Sequence, residues 1–193
     1  MQCMLCDSLS HTHICKKCQN TLLAPSLYKR KVQNIEVVSF YKYSEIEMLL
    51  KTKHSDLGFY IYNILAKLSF KKFSKEFDFN EKVASIAIDD HTRHGYSHSA
   101  ILNKQLKTKT IKPLFNKLRS QNDVTYSAKS YEFRSQNPRK FTMLPFKEKS
   151  VILVDDIITT GLTLSQAINT LRANNKEVLF CLTLADADLK DNR

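Results

Sequence analysis

One stretch of the sequence decides the fold: Val151-Ile152-Leu153-Val154-Asp155-Asp156-Ile157-Ile158-Thr159-Thr160-Gly161-Leu162-Thr163-Leu164. Its four leading apolar residues suit a strand buried on both faces of a parallel sheet. Two carboxylates follow at the carboxyl end of that strand, where open α/β sheets bind their ligands. Gly161 allows a positive φ, and the hydroxyl and N–H groups around it can surround an anion at a helix N-terminus. The stretch predicts a strand, a tight anion-binding loop and the first turn of a helix.

The chemistry of this stretch suits a sugar diol beside a phosphate. Carboxylates accept hydrogen bonds from hydroxyl groups, and a Thr/Gly loop can hold a phosphomonoester. A ribose 5-phosphate meets both requirements. The alternative is a buried strand followed by an ordinary acidic turn without a ligand. The acidic pair and the Thr-Thr-Gly-x-Thr run coincide at fixed offsets, and this favours the ligand site.

The same run resembles the phosphoribosyl pyrophosphate (PRPP) loop of the type I phosphoribosyltransferases. That pattern has four apolar residues, two acids, two mostly apolar residues and Thr-Thr-Gly-x-Thr. The resemblance implies that the two acids face the ribose hydroxyls, that residues 159–163 hold the 5-phosphate, and that Mg²⁺ accompanies PRPP. The positions it assigns to PRPP are Asp155, Asp156, Ile157, Ile158, Thr159, Thr160, Gly161, Leu162 and Thr163.

The whole chain has 193 residues and a net charge of +11, from 30 Lys and Arg against 19 Asp and Glu. The length predicts one medium domain with a small appendage. The charge favours polyanionic partners: nucleic acid, phosphorylated small molecules or an acidic membrane surface. No apolar run approaches the roughly 20 residues of a membrane span, and the first residues do not resemble a secretory signal. We therefore expect a cytoplasmic protein.

Four of the five cysteines form two Cys-x2-Cys pairs near the start: Cys3, Cys6, Cys15 and Cys18. Two such pairs can place four thiolates around one structural zinc ion, which predicts a zinc ribbon over residues 1–25. A segment this short has no core, so metal binding would supply most of its folding free energy. A disulfide pair is the alternative. His11 and His13 are predicted to be solvated loop residues, because four thiolates already complete the coordination.

Buried strands alternate with amphipathic helices from Ile35 to Leu184. This alternation predicts an α/β fold over residues 35–193, with a mostly parallel sheet flanked by helices. Residues 21–34 are predicted to be a connector. A helix is expected over about residues 97–107. The loop before it contains three histidines whose spacing is interrupted by Gly95, so we favour a polar loop that contacts substrate over a metal site.

Basic residues beside aromatic ones mark candidate contacts to single-stranded nucleic acid, because rings stack on bases and cations neutralise phosphates. One such cluster follows Tyr28, and another lies between Ser127 and Phe141. The middle of the chain, from Lys104 to Arg119, is also strongly basic. A solvated surface is the alternative in each case. The candidate residues are Lys29, Arg30, Lys31, Arg119, Arg134 and Arg139.

A four-cysteine ribbon ahead of a phosphoribosyltransferase-like domain resembles the ComF family, the ComFC-type proteins of DNA transformation (competence). The family's lysine-containing turn is similar to residues 51–58, and its Arg-x-x-Asn…Phe element resembles Arg134, Asn137 and Phe141. Residues 93–98 replace the family's Arg-Gly-Phe-Asn-Gln-like loop with Arg-His-Gly-Tyr-Ser-His. The resemblance implies a role with incoming single-stranded DNA, alongside a ComFA-like helicase and recombination mediators.

Three functions are compatible with these features. As a transferase, the protein would bind PRPP with Mg²⁺, would contact the pyrophosphate through Lys53 and Arg93, and would pass the phosphoribosyl group to an acceptor. No residue is identified as catalytic, and no acceptor site is evident. As a binding module, it would hold PRPP, a related phosphoribosyl ligand or a DNA 5-phosphate, and its basic and aromatic surfaces would bind single-stranded DNA. As an interaction protein, its ribbon would dock a helicase and the loop would be a relic, against which the intact loop argues.

Overall fold

The structure is a computed structural model that describes residues 1–88, 91–92, 95–120 and 140–188. The strands of this part are β1 (Tyr28–Val32), β2 (Ile35–Lys42), β3 (Val83–Ala87), β4 (Ile111–Leu114), β5 (Leu118–Ser120), β6 (Phe141–Met143), β7 (Ser150–Ile158) and β8 (Glu177–Asp186). The large sheet has the order β1-β2-β8-β7-β3-β4, and β5 pairs with β6 separately. β1 runs antiparallel to β2, whereas the other neighbours in the large sheet are parallel. The predicted mostly parallel α/β sheet is confirmed.

Helices connect these strands and cover both faces of the sheet. They are α1 (Lys16–Thr21), α2 (Tyr43–Leu50), α3 (Asp56–Leu68), α4 (Phe70–Phe73), α5 (His98–Lys104) and α6 (Leu162–Ala173), with 3₁₀ turns at Lys51–His54 and Ser74–Glu76. Within the described ranges, no helix combines the length and the apolar character that crossing a membrane requires.

Strand β7 occupies the middle of the sheet, between β3 and β8. Its side chains alternate between the two faces, as a pleated strand requires. Ile152 and Val154 belong to the core on one face, whereas Val151 and Leu153 belong to the core on the other. β7 extends to Ile158, beyond the four apolar residues that predicted it, so the acidic pair lies inside the strand and not after it.

The cysteine-containing segment packs against the main core. Cys3, Ile14, Cys18 and Leu23 belong to the same cluster of buried residues as the inner face of α3. The hydroxyl group of Tyr41, on β2, donates a hydrogen bond to the Leu23 carbonyl at 2.9 Å. The first residues and the sheet therefore share one apolar interior, which a short segment cannot build alone.

The segment predicted to be a connector contains a strand of the main sheet. Residues 28–32 form β1, and a two-residue turn at Gln33 and Asn34 returns the chain into β2. Both turn residues have positive φ, at 49° and 66°, the arrangement of tight hairpin turns. The connector prediction was wrong. Residues 28–32 are an edge strand with one face turned to solvent, and their many lysine and arginine residues obscured the alternating pattern of a strand.

Candidate functional site

Two adjacent carboxylates, Asp155 and Asp156, lie near the carboxyl end of β7. Asp156 is only 8% exposed. Its Oδ2 atom accepts a hydrogen bond from Lys53 Nζ at 3.0 Å and lies 3.3 Å from His98 Nε2. Its Oδ1 atom accepts the N–H of Ile157 at 2.8 Å, and Asp155 Oδ1 accepts the N–H of Asp156 at 2.8 Å. A lysine ammonium group and a histidine ring from other elements therefore converge on one buried oxygen atom.

The electrostatics of this cluster favour its charged form. Burial raises the pKa of Asp156, but the nearby Lys53 and His98 outweigh that effect and bring the pKa to about 2, below the ordinary value of 3.8. Attraction to Asp156 likewise raises the pKa of Lys53, against the opposing effect of burial. At neutral pH the cluster therefore contains a carboxylate and an ammonium group in direct contact, each compensating the lost hydration of the other.

Tyr62 lies beneath this cluster, on α3. Its side chain is fully buried, and its hydroxyl group has no hydrogen-bond partner among the described residues. Its ring centroid is 5.5 Å from that of His98. Burial, followed by the proximity of Asp156, raises the pKa of Tyr62 well above its ordinary value. The uncharged Tyr62 ring therefore packs on the buried side of the charged groups.

The loop after β7 presents backbone N–H groups at the start of a helix. Gly161 has a φ of 78° and is the N-cap of α6, so the chain turns directly from the loop into the helix. Leu162 N donates to Thr160 Oγ1 at 3.4 Å, and Ser165 N donates to the Gly161 carbonyl at 2.8 Å. A glycine turn, threonine hydroxyls and the positive end of a twelve-residue helix are the components of a phosphate site.

The β1–β2 hairpin packs against this loop and supports it. Arg30 Nη2 donates a hydrogen bond to the Thr159 carbonyl, while the same guanidinium lies 3.1 Å from Asp186 and 3.2 Å from Asp188. A Cβ atom at Gly161 would approach Val32 Cγ2 to 2.7 Å. The hairpin therefore contacts the loop through the side chains of Arg30 and Val32, and the ion pair with Asp186, which is 2% exposed, holds the Arg30 guanidinium in place.

The loop's neighbour Ser165 is also held by the hairpin. Gln33 Nε2, from the hairpin turn, donates to Ser165 Oγ at 2.5 Å, and Arg172 Nη1 donates to Gln33 Oε1 at 3.4 Å. Both contacts join the hairpin turn to α6, so the first turn of that helix and the loop before it are positioned by the same hairpin.

The predicted nucleic-acid residues divide into three groups in the structure. Arg30 faces the loop and is only 23% exposed at its side chain. Lys29 and Lys31 point to the exposed side of β1, where Lys29 pairs with Glu36 at 3.2 Å. Arg119 is exposed on β5. Arg134 and Arg139 lie outside the described residues, as does Arg93, which was predicted to contact pyrophosphate.

The four N-terminal cysteines converge on one point. Their ligand atoms all lie within 4.8 Å of one another, and Cys6 Sγ is 3.7 Å from Cys15 Sγ. A zinc ion with bonds of about 2.3 Å to tetrahedral ligands places its sulfur atoms about 3.8 Å apart, which matches this spacing. The N–H groups of Cys15 and Cys18 donate to neighbouring sulfur atoms at 3.2 and 3.4 Å. All five cysteines are free in the structure, which favours the metal site over the disulfide alternative.

Hydrogen bonds and burial shift the pKa values of these thiols in opposite directions. The hydrogen bond with Cys6, together with burial, raises the pKa of Cys18 to about 12. Burial also raises the pKa of Cys3, but hydrogen bonds from backbone N–H groups, that of Cys15 first, outweigh it and bring the pKa to about 6. Without a cation, Cys3 therefore has a lowered pKa and Cys18 a raised one. A divalent metal would stabilise thiolates at all four positions, and the residues fit that role.

An aromatic strip joins the cysteine cluster to the turn that carries Lys53. The ring of His13 lies 4.8 Å from that of Tyr60, Tyr60 lies 5.4 Å from Phe59, and Phe59 lies 6.0 Å from Tyr96. His13, predicted to be solvated, therefore packs on an aromatic ring and is half-buried. The strip links the N-terminal segment physically to the acidic site.

Tyr96 ends the strip by bonding to the lysine turn. Its hydroxyl group donates to the Lys53 carbonyl at 2.8 Å. A Cβ atom at Gly58 would overlap both this hydroxyl group and the Thr52 carbonyl, so only glycine admits the contact. The backbone on both sides of Lys53 is therefore fixed before any ligand arrives.

The sequence predicted Lys53, the acidic pair and the threonine loop as site residues, and the structure adds three neighbours that the sequence did not indicate. His98 had been assigned only to a polar loop, and it meets Asp156. Tyr62 was hidden in the apolar pattern of α3, where no sequence signal distinguishes it. Asp186 could have been found, because it ends the last buried strand at the same edge of the sheet as the acidic pair.

The fold and the site together define a class of protein. An open parallel sheet carries an acidic pair and a Thr/Gly loop at one carboxyl edge, which is the arrangement of an α/β domain that binds a phosphorylated ligand. The family model described as "Phosphoribosyl transferase domain" matches residues 61–191. The chain therefore belongs to the phosphoribosyl transferase domain family.

Several solved structures are similar to the chain at low identity. An adenine phosphoribosyltransferase is 17% identical, with 89% of each chain covered and a TM-score of 0.42. A hypoxanthine phosphoribosyltransferase from Staphylococcus aureus is 17% identical, with 67% of each chain covered and a TM-score of 0.39. The UMP synthase of Leishmania donovani is 12% identical, covering 88% of this chain and 31% of that one, with a TM-score of 0.39. No curated protein sequence matches the chain. Likenesses at this level carry no argument about substrate or activity.

Proposed function

We propose that the protein binds PRPP, with the acidic pair on the ribose hydroxyls and residues 159–163 around the 5-phosphate. The observation that supports this proposal is the juxtaposition of Asp155 and Asp156 with a glycine-turned loop at the N-terminus of α6. Carboxylates that accept hydrogen bonds from the ribose hydroxyls, next to a loop that binds the phosphate, match the two ends of a ribose 5-phosphate.

Lys53 is the proposed contact to the pyrophosphate group. It already lies at the site, paired with Asp156 at 3.0 Å, and only 22% of its side chain is exposed. A ligand that brings its own negative charge would compete with Asp156 for this ammonium group, which would leave the carboxylate available to the ribose hydroxyls. Mg²⁺ bound with PRPP would neutralise further charge on the pyrophosphate. Arg93 remains a second proposed contact.

We further propose that the protein works in natural transformation and handles single-stranded DNA together with a ComFA-like helicase and recombination mediators. Two features support this role: the resemblance to the ComF family and the net charge of +11. A polyanion is attracted to such a surface whatever its base sequence, as a protein that handles incoming DNA requires. Zinc is the proposed metal of the four-cysteine cluster, where its role is structural.

Phosphoribosyl transfer is the second candidate function. Membership of the phosphoribosyl transferase domain family favours it. A transferase would release pyrophosphate in the presence of an acceptor, whereas a binding protein would hold PRPP unchanged. Measurement of pyrophosphate release over a panel of nucleobases therefore separates the two functions.

Calorimetric titration with PRPP and Mg²⁺ tests the primary proposal. We expect saturable binding by the natural protein and none by the Asp155→Ala, Asp156→Ala variant, which should retain its metal. The Glu76→Ala, Glu81→Ala variant is the matched control, since it removes two exposed carboxylates away from the site and should bind PRPP normally. Unchanged PRPP affinity in the Asp155, Asp156 variant would refute the assignment of the site.

A further inference from the structure

A basic pocket of about 670 Å³ opens at the β4 edge of the large sheet, away from the acidic site. Its cationic lining residues are Lys82, Lys104, Lys107, Lys109 and Lys112, and Phe115 completes it on one side. Lys82 directly precedes β3, whereas Asp156 lies near the carboxyl end of the neighbouring strand β7. The pocket lies along edge strand β4, and strand β3 separates β4 from β7, so the pocket and the acidic site are distinct.

Among the residues that the structure describes, four of these lysines have no acidic partner. Lys112 Nζ pairs with Glu148 at 2.9 Å, but Lys82, Lys104, Lys107 and Lys109 make no ion pair with any residue in the described part of the chain. Ammonium groups of one sign around a concave surface raise the local positive potential, because the low-dielectric walls focus the field. The pocket is thus built to attract a ligand with several negative charges.

The types of residue in the pocket indicate which polyanion it suits. Lysine is a point charge on a flexible stem, which neutralises phosphates without reading bases, whereas bidentate recognition requires arginine. Phe115 is 42% exposed at the pocket, and an exposed ring beside cations allows an unpaired base to stack. A duplex keeps its bases inside and has none to offer to this ring. A flexible single strand satisfies both features.

We infer that this pocket binds the phosphate backbone of single-stranded DNA, with Phe115 stacking on a base; the inference rests on the DNA-handling role proposed above. PRPP and DNA then bind at separate sites of one domain. The pocket also joins residues that are distant in sequence, since Lys82 comes from the segment before β3 and the other lysines from α5, β4 and the residues between them.

The number of phosphates that the pocket neutralises can be counted from the salt dependence of binding. For single strands the slope of log K against log salt is about −0.7 for each phosphate contact. Replacing Lys82, Lys104, Lys107 and Lys109 with glutamine removes four charges at nearly constant length. The slope should therefore become less steep by about 4 × 0.7, or about 2.8. Fluorescence anisotropy of a labelled oligothymidylate, titrated at several salt concentrations, measures this change.

The matched control removes the same charge from another surface. Lys67, Lys71, Lys72 and Lys75 are exposed on α3, on α4 and in the turn after α4, and replacing these four with glutamine should leave the slope nearly unchanged. PRPP binding by both variants, measured by calorimetry, reports that they are folded. A pocket variant whose slope matches that of the natural protein overturns the inference.

A Phe115→Ala variant tests the stacking contact separately. We expect affinity for the oligothymidylate to fall roughly tenfold with the salt slope unchanged, since stacking on an aromatic ring involves no counterion release. Competition by duplex DNA as effective as competition by the single strand would overturn the assignment of the ligand. If the natural protein binds PRPP but no single-stranded DNA, the proposed DNA-handling role is wrong. If the natural protein binds single-stranded DNA and the pocket variant keeps the same salt slope, only the location of the DNA site is wrong.

Discussion

At the scale of single residues, the most informative contact is the convergence of Lys53 and His98 on Asp156. These neighbours favour the ionised form of the buried carboxylate, because the Lys53 ammonium group in particular offsets its lost hydration. The pKa of Asp156 falls from 3.8 to about 2 in the folded protein. Asp156, which the ligand is proposed to contact, therefore also contributes to the stability of the folded protein.

This shift predicts a pH-dependent stability difference between the natural protein and an Asp156→Asn variant. A depressed carboxylate pKa contributes stability above the unfolded value of 3.8, and that contribution is lost as the pH falls through about 2. The natural protein should be the more stable of the two at pH 6, and the gap should shrink steadily between pH 4 and about 2. Urea unfolding across this range measures the free energy of unfolding of each protein.

The control for this experiment is Asp78→Asn, which removes one exposed carboxylate far from Lys53. It accounts for the general effect of adding positive charge to a protein whose net charge is already +11. A gap between the natural protein and Asp156→Asn that stays constant from pH 6 to pH 2 would contradict the coupling of Asp156 to its two cations.

At the scale of elements, the β1–β2 hairpin positions the loop that is proposed to hold the phosphate. Arg30 spans from the edge strand to the Thr159 carbonyl and to Asp186 at the end of β8. Its neighbours Lys29 and Lys31 point to the exposed face. The basic cluster that suggested nucleic-acid binding thus contains one residue with a positioning role, because alternation along a strand separates adjacent side chains onto opposite faces.

Because this hairpin contacts Gly161, we expect the Gly161→Ala substitution to destabilise the protein in two ways, through backbone strain and through a steric clash. Alanine at a φ of 78° costs about 1–3 kcal/mol from backbone strain alone. Its Cβ atom would also lie 2.7 Å from Val32 Cγ2, which adds a steric cost. We expect Gly161→Ala to lose both stability and PRPP affinity, and a second change, Val32→Ala, to restore part of the stability.

Gly95→Ala is the matched control, since Gly95 has a φ of 80° and, among the described residues, no atom lies within 4 Å of a Cβ placed there. Urea unfolding of the variants separates strain from clash: Gly95→Ala carries the strain alone, and Gly161→Ala carries both. Equal losses of stability for the two glycine variants would show that Val32 of the hairpin makes no steric contact with a Cβ atom at position 161.

At the scale of the whole molecule, the N-terminal cysteine segment and the sheet are thermodynamically coupled. Cys3 and Cys18 belong both to the four-thiol cluster and to the main core. His13 continues this contact onto Tyr60 of α3. Loss of the proposed zinc should therefore destabilise more of the chain than the segment that would hold it.

Removal of the metal with a strong chelator is predicted to lower the Tm of the entire chain. Each kcal/mol lost moves the Tm of a chain of this size by about 2–4 °C, so a drop of several degrees is expected. A Cys6→Ser variant should contain no zinc by elemental analysis, should unfold at the Tm of the chelated natural protein, and should no longer respond to the chelator.

Cys181→Ala is the control, since it replaces the remaining cysteine, which is buried in the sheet away from the cluster. It should lose stability through its cavity but keep one zinc ion per chain and its response to the chelator. A Tm that is unaffected when zinc leaves the natural protein would contradict the coupling.

The sequence by itself determined the central strand, the acidic pair, the threonine loop and the four-cysteine cluster. Each of these depends on residues adjacent or nearly adjacent in the chain, where spacing translates directly into local geometry. The parallel α/β arrangement also followed from the sequence, because strands that alternate with helices leave few other ways to bury their apolar faces.

Only the tertiary structure decided which distant residues share a site. His98 reaches Asp156 and packs against Tyr62, Arg30 reaches Thr159, and Lys82 joins the lysines of α5 and β4 around one pocket. These contacts are set by the order in which the strands pair and by the face to which each side chain turns. Both arise from the packing of the whole chain, so neither is encoded in any short stretch of it.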